Sequence, residues 1–196
     1  MPSPERFRTI VADPPWQLKA GPGFHGRGDG RRGHGPTRDL PYDTMTVEDI
    51  AGLPVADVAE DHSHLYLWTV NAYIPAAYEV ARAWGFQPST LLTWCKAPMG
   101  SGLGGAYGIS TEFCLFARRG SLPAHGKSNT TRWRWKRRYD DRGKPQHSAK
   151  PLDFIHLVES MSPGPYVELF SRERQPRLGW SYWGNQSLRT ATLPTR

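Results

Sequence analysis

Cysteine is scarce in this 196-residue chain: Cys95 and Cys114 are the only two, both inside apolar runs and neither in a CxxC pair. That argues against a disulfide framework and fits two buried thiols in a reducing compartment. Long hydrophobic runs are also missing. No stretch approaches the ~20 apolar residues of a membrane span, and the opening MPSPERFRT has no apolar signal core. The expectation is a soluble, cytoplasmic protein with no membrane partner. The glycines of GRGDGRRGHG follow no strand-to-helix turn at dinucleotide-binding spacing, and the phosphate-loop pattern is absent. No metal requirement is read.

Aromatics and positive charge are plentiful. Only 38% of residues are apolar, yet 8 Trp, 8 Tyr and 7 Phe supply large areas for burial. The length suits one domain with a sizeable core. A net charge of +7 favours a polyanionic partner, nucleic acid being the usual one. Short apolar runs at Arg8–Ala12, His64–Val70, Leu91–Lys96, Glu112–Ala117 and Tyr166–Phe170 read as strands covered on both faces. Helical patterns lie between them. TVEDIAGL has Thr46 as a cap; Ala72–Trp84 stops at Gly85; PLDFIHLVESM opens with Pro151 in its first turn. Strands alternating with helices predict an α/β domain with a mostly parallel central sheet flanked by helices.

Chemistry concentrates after the first strand, in VADPPWQ. Asp13 leaves the carboxyl end of a buried strand, where open α/β sheets bind ligands. Pro14 and Pro15 fix φ near about −65° and so aim the backbone carbonyls. A carboxylate beside a carbonyl offers two acceptors to an exocyclic NH₂, which has two donors. Trp16 offers a flat face on which a base could stack. The bland alternative is a capping Asp and a core Trp on a turn.

ADPPW resembles the [DNS]PP[YFW] catalytic motif of amino-methyltransferases. Four further stretches, DLPYDTMTVEDI, LYLWT, WGFQPSTLLTWCKA and AKPLDFI…SPGPYVELFSRERQPRLGWSYWGNQ, match in order one branch, the DPPW-type N6-adenine methyltransferase family. That family includes the catalytic subunit of the eukaryotic mRNA methylase. The resemblance runs from Arg8 to Gln186 and implies a circularly permuted Rossmann-like, S-adenosyl-L-methionine-dependent methyltransferase fold, with the catalytic half first. It implies that Asp13 and the Pro14 carbonyl hold the adenine amino group within the Asp13–Pro14–Pro15–Trp16 motif. Trp16 and Tyr42 would line the base pocket, shaped further by Trp94, Lys96 and Glu112. For S-adenosyl-L-methionine it points to Lys150 on the carboxylate and Glu168 on the ribose. Arg172, Asn185 and Gln186 add polar contacts, and Trp68 closes the methionine end beside Asp13. The plainer alternatives are turn packing for Tyr42, a core aromatic for Trp94 and Trp68, a surface charge for Lys96 and a strand-edge charge for Glu112. Little sequence precedes the first strand, so the family's upstream contact to the cofactor adenine is expected to be lost or replaced.

Two segments are expected as substrate loops of a single domain spanning 1–196: residues 17–39 and 127–148. In the second, RWRWKRR interleaves cations with Trp133 and Trp135, an alternation that reads as one aromatic and one basic face. Arg132, Arg134, Arg137 and Arg138 are the candidate phosphate contacts, the alternative being an edge strand with its tryptophans in the core. The function expected is methyl transfer to adenine N6 in nucleic acid, DNA before RNA. The alternatives are RNA methylation and a non-catalytic nucleic-acid-binding subunit, which intact DPPW argues against. The expected assembly is a monomer or homodimer.

Overall fold

The computed structural model describes residues 5–17, 43–96, 107–139, 142–143, 149–172, 177–184 and 190–194. Expectations for Tyr42, Asn185, Gln186 and residues 18–39 lie outside these. Seven strands form one sheet: β1 (Phe7–Ala12), β2 (Ala59–Thr69), β3 (Gln87–Cys95), β4 (Thr111–Arg119), β5 (Arg132–Trp133), β6 (Tyr166–Leu169) and β7 (Trp180–Trp183). Their spatial order is β5-β3-β4-β2-β1-β6-β7. β1 pairs in parallel with β2 and β6, β6 with β7, and β3 with β5. Only β4 runs against its neighbours, β2 and β3. The sheet is mostly parallel, as expected.

The helices are α1 (Val47–Ala51), α2 (Val55–Val58), α3 (Ile74–Ala83) and α4 (Leu152–Met161). Thr46 caps α1: its hydroxyl oxygen accepts from the Asp49 N–H, satisfying an orphan first-turn donor. α3 stops where expected. Gly85 takes φ +82°, and the N–H groups of Gly85 and Phe86 return to the carbonyls of Arg82 and Ala81. The expected helix at Ala72–Trp84 begins with a 3₁₀ turn over Asn71–Tyr73. Pro151 is the N-cap of α4 rather than a residue of its first turn. Among the described residues, no helix is long and apolar enough to cross a membrane.

Strand side chains alternate between faces, so the sheet separates two cores. Ile10, Ala12, Leu65, Leu67, Leu115, Ala117, Val167 and Leu169 pack on one side with Ile50 of α1 and Val80 and Ala81 of α3. Val11, Tyr66, Trp68, Trp94 and Cys114 pack on the other with Phe154 and Val158 of α4. Burial on both faces explains why the central strands read as continuous apolar runs.

Candidate active site

The same alternation builds the site. Two residues beyond Val11 comes Asp13, just past the end of β1; two beyond Tyr66 comes Trp68. Both continue the α4 face of the sheet. β1, β2, β3 and β6 all point their carboxyl ends at one edge. β4 runs oppositely, so its start, with Glu112, reaches that same edge on the Cys114 face. Trp94 of β3 lies in register with Glu112, and Lys96 follows β3. Lys150 precedes α4 and enters from the helix side.

The charges meet there. Lys150 Nζ donates to Asp13 Oδ2 at 2.7 Å and lies 3.4 Å from Glu112 Oε2. Lys96 forms an ion pair with Glu112 Oε1. The Glu112 side chain is 14% exposed and that of Lys150 17%, so water screens the cluster only in part. Aromatic faces support both cations, with Lys150 Nζ 5.1 Å from the Trp68 ring and Lys96 Nζ 5.5 Å from the Trp94 ring.

Burial lifts the Asp13 carboxyl above its ordinary value, against the opposing pull of Lys150. Burial works in the same sense on Glu112, but the ammonium groups of Lys150 and Lys96 outweigh it and hold that carboxyl below its ordinary value. For Lys150, burial disfavours the charged form, and Asp13 and Glu112 overcome it, keeping the ammonium above the usual lysine value. Two carboxylates and two cations thus share a half-buried patch, with Asp13 the acid that burial dominates.

Trp16 departs from the expectation. It is 6% exposed and belongs to the α1/α3 core. Its ring stacks on Tyr73 at 5.3 Å, and its indole N–H donates to the Trp68 carbonyl at 3.0 Å. The face expected to receive a base is therefore taken by Tyr73, because the chain passes to the opposite side of the sheet after the two prolines. The Pro14 carbonyl accepts the Trp16 N–H at 2.8 Å, which leaves it one lone pair for a ligand; the Pro15 carbonyl accepts from Met45. Trp16 braces the turn from beneath.

Trp68 is 2% exposed and packs edge-on against Phe154 and Trp94. Among the described residues its Nε1 has no hydrogen-bond partner. Glu168 on β6 lies in register with Val11 of β1, and the Ser171 hydroxyl donates to it at 2.9 Å. Sequence reasoning gave Ser171 no role; a hydroxyl three residues beyond an acid was the available signal. Arg172 is near enough that its charge lowers the Asp13 carboxyl, a smaller influence than burial or Lys150. The proposed cofactor and catalytic halves thus adjoin at the ends of β1 and β6. There β1 connects on to β2 on one side while β6 connects to β7 on the other, the reversal at which open α/β sheets place their ligands.

The MT-A70 family pattern matches residues 7–186. This chain belongs to the MT-A70 family. An MT-A70-like protein of Medicago truncatula is 26% identical over 188 residues, which cover 92% of this chain and 26% of the plant protein. The human N(6)-adenosine-methyltransferase catalytic subunit METTL3 is 24% identical over 199 residues, covering 92% of this chain and 28% of the human one. The N(6)-adenosine-methyltransferase MT-A70-like protein of Arabidopsis thaliana is 24% identical over 187 residues, 92% of this chain and 24% of its own. The chain spans about a quarter of the length of these curated relatives.

Two features of this MT-A70 chain sit where β6 and β7 end. Phe170 takes φ +61°, a left-handed conformation that side chains disfavour. Its ring meets Trp183 edge-on at 5.4 Å. A Cβ on Gly184 would stand 2.2 Å from the Ser171 carbonyl oxygen. Only glycine lets the chain at the end of β7 pass so close to Ser171, in the ELFSR segment that holds Glu168 and Arg172 near the end of β1.

Proposed function

We propose that this protein transfers a methyl group from S-adenosyl-L-methionine to the N6 amino group of adenine in nucleic acid. The observation that carries this reading is Asp13, half-buried at the carboxyl edge of β1 and bonded to Lys150, in a chain of the MT-A70 family. When bound, the cofactor supplies an electrophilic methyl on a sulfonium. Asp13 and the remaining lone pair of the Pro14 carbonyl accept from the amino group. That favours a pyramidal nitrogen and directs its lone pair outward. Asp13 need not be a strong base, since the proton can leave after transfer.

Lys150 was expected from sequence at the cofactor carboxylate. Its ammonium is shared between Asp13 and Glu112, so we assign it the positioning of Asp13. The donor set suits the cofactor: Glu168 is an acceptor for ribose hydroxyls and Arg172 a cation for a carboxylate, both beside the end of β1. Trp94, Lys96 and Glu112 flank the base on the far side of Asp13. Arg132, Arg134, Arg137 and Arg138 contact phosphates.

Relatives of this chain are named as adenosine methyltransferases, which favours a ribonucleotide over the DNA substrate first expected. The test is incubation with labelled S-adenosyl-L-methionine and RNA, single-stranded DNA or duplex DNA, followed by digestion to nucleosides. N6-methyladenosine from RNA is expected. Asp13→Asn should abolish transfer and leave cofactor affinity by calorimetry nearly unchanged. Near-normal turnover of Asp13→Asn would remove the catalytic assignment.

A further inference from the structure

Resting on the nucleic-acid reading above, we infer that the β5 edge is a stacking plate for an unpaired base of a single-stranded substrate. Trp133 is the plate, and Arg132, Arg134 and Lys136 are its phosphate contacts. β5 is the last strand on its side of the sheet. Along it, Arg132, Arg134 and Lys136 are exposed while Trp133 and Trp135 are half-buried. The two indoles stack at 5.2 Å with planes 16° apart. Trp135 is the inner ring: it meets Phe154 of the α4 core at 6.2 Å, and its carbonyl accepts the Trp94 indole N–H at 3.0 Å. The core alternative thus holds for Trp135. Among the described residues, Trp135 is the only aromatic ring in contact with Trp133, which leaves Trp133 as the outer leaf of an anchored pile.

Position links this plate to the site. Trp133 lies in register with Trp94, and Trp94 with Glu112. At ~4.8 Å between strands, two steps set the plate roughly 10 Å from the Glu112 backbone. A stacked strand rises ~3.4 Å per nucleotide, so the plate stands about three nucleotides from the Glu112 edge of the site. Beyond it, a cleft of about 350 Å³ is lined by Lys136, Arg137, Arg138, Tyr139 and, at the start of α4, Leu152 and Asp153. Asp153 is the one acid in that lining. Cations alternating with flat rings fit a strand that offers phosphates on one side and bare base faces on the other. A duplex keeps its base faces inside the stack and gains nothing from the plate.

Binding of labelled oligonucleotides without adenine, oligo-dT and oligo-U, to the full chain tests this by fluorescence anisotropy, with a G·C duplex alongside. The single strands should bind more tightly than the duplex and quench tryptophan emission. Trp133→Ala should weaken single-strand binding by roughly five- to a hundredfold and leave the duplex unaffected, while Trp133→Phe keeps most of the affinity. Should Trp133→Ala lower the melting temperature, Trp133→Leu, which keeps apolar bulk without a flat face, takes its place. A normally melting Trp133 variant that binds oligo-dT like the parent would overturn the plate, and so would a preference for duplex. With no adenine in the probe, the plate and the methyl-transfer reading fail separately. Lost transfer with Trp133-dependent binding intact removes only the chemistry.

Discussion

At the scale of single residues, Asp13 sits between opposing influences. Burial raises its carboxyl, Lys150 and Arg172 lower it, and Glu112 raises it. Removing Lys150 deletes the largest stabiliser of the carboxylate, so its pKa should climb further. Lys150→Met should therefore move the acid limb of the rate–pH profile upward by roughly 1–3 units, while Glu112→Gln, which removes a like charge, should move it down. Steady-state rates from pH 5 to 9 check both signs. An unmoved limb in Lys150→Met would mean that Lys150 does not position Asp13. Glu112 bears on stability in its own way. Its folded carboxyl is held below the ordinary 4.5, so its contribution is full above that pH and fades as the pH falls through the folded value.

Among the elements, the turn after β1 decides most. Asp13 stays on the α4 face, and Trp16, three residues on, is buried on the other. Trp16→Ala should cost about 3–5 kcal/mol, as for other buried aromatics, with the freed Trp68 carbonyl adding to it. Trp16→Phe keeps the Tyr73 contact and should cost clearly less; urea unfolding separates the two. Several elements were legible in the sequence because their signals are local. The Thr46 cap and the Gly85 stop each rest on contacts within a few residues. Others were not. β2 starts at Ala59 rather than His64: Ala59 pairs with Phe7, and the polar Glu60–Asp61–His62 stretch forms the register shift before His64 pairs with Thr9. β7 is short and defined by its neighbour β6, and was read only as part of a motif.

For the whole molecule, positive charge and sheet order matter most. With net charge +7, nucleic-acid binding should weaken steeply between about 50 and 200 mM salt as counterions are released. Replacing Arg134, Arg137 and Arg138 together with Ala should flatten the slope of log K against log salt and lower affinity alike for all sequences. A triple variant with an unaltered slope would place the phosphate track elsewhere. The α/β class, the Asp13 turn and the basic, aromatic RWRWKRR segment follow from the sequence alone, since each is written in neighbouring residues. The DPPW and ELFSR motifs likewise mark the ends of β1 and β6, where the two halves of the proposed site adjoin. What surrounds Asp13 does not follow. Glu112 is a charge interrupting an apolar run until β4 is known to run against its neighbours. Only then does the start of β4 meet the ends of β1, β2 and β3, putting Glu112 beside Lys150 and Lys96. Nor does anything local to Lys150 show that the start of α4 lies over β1, which puts its ammonium between Asp13 and Glu112. Contacts between residues 137 positions apart are set by strand order and direction. Those are fixed by burying both faces of the sheet at once, a condition that no stretch of sequence satisfies by itself.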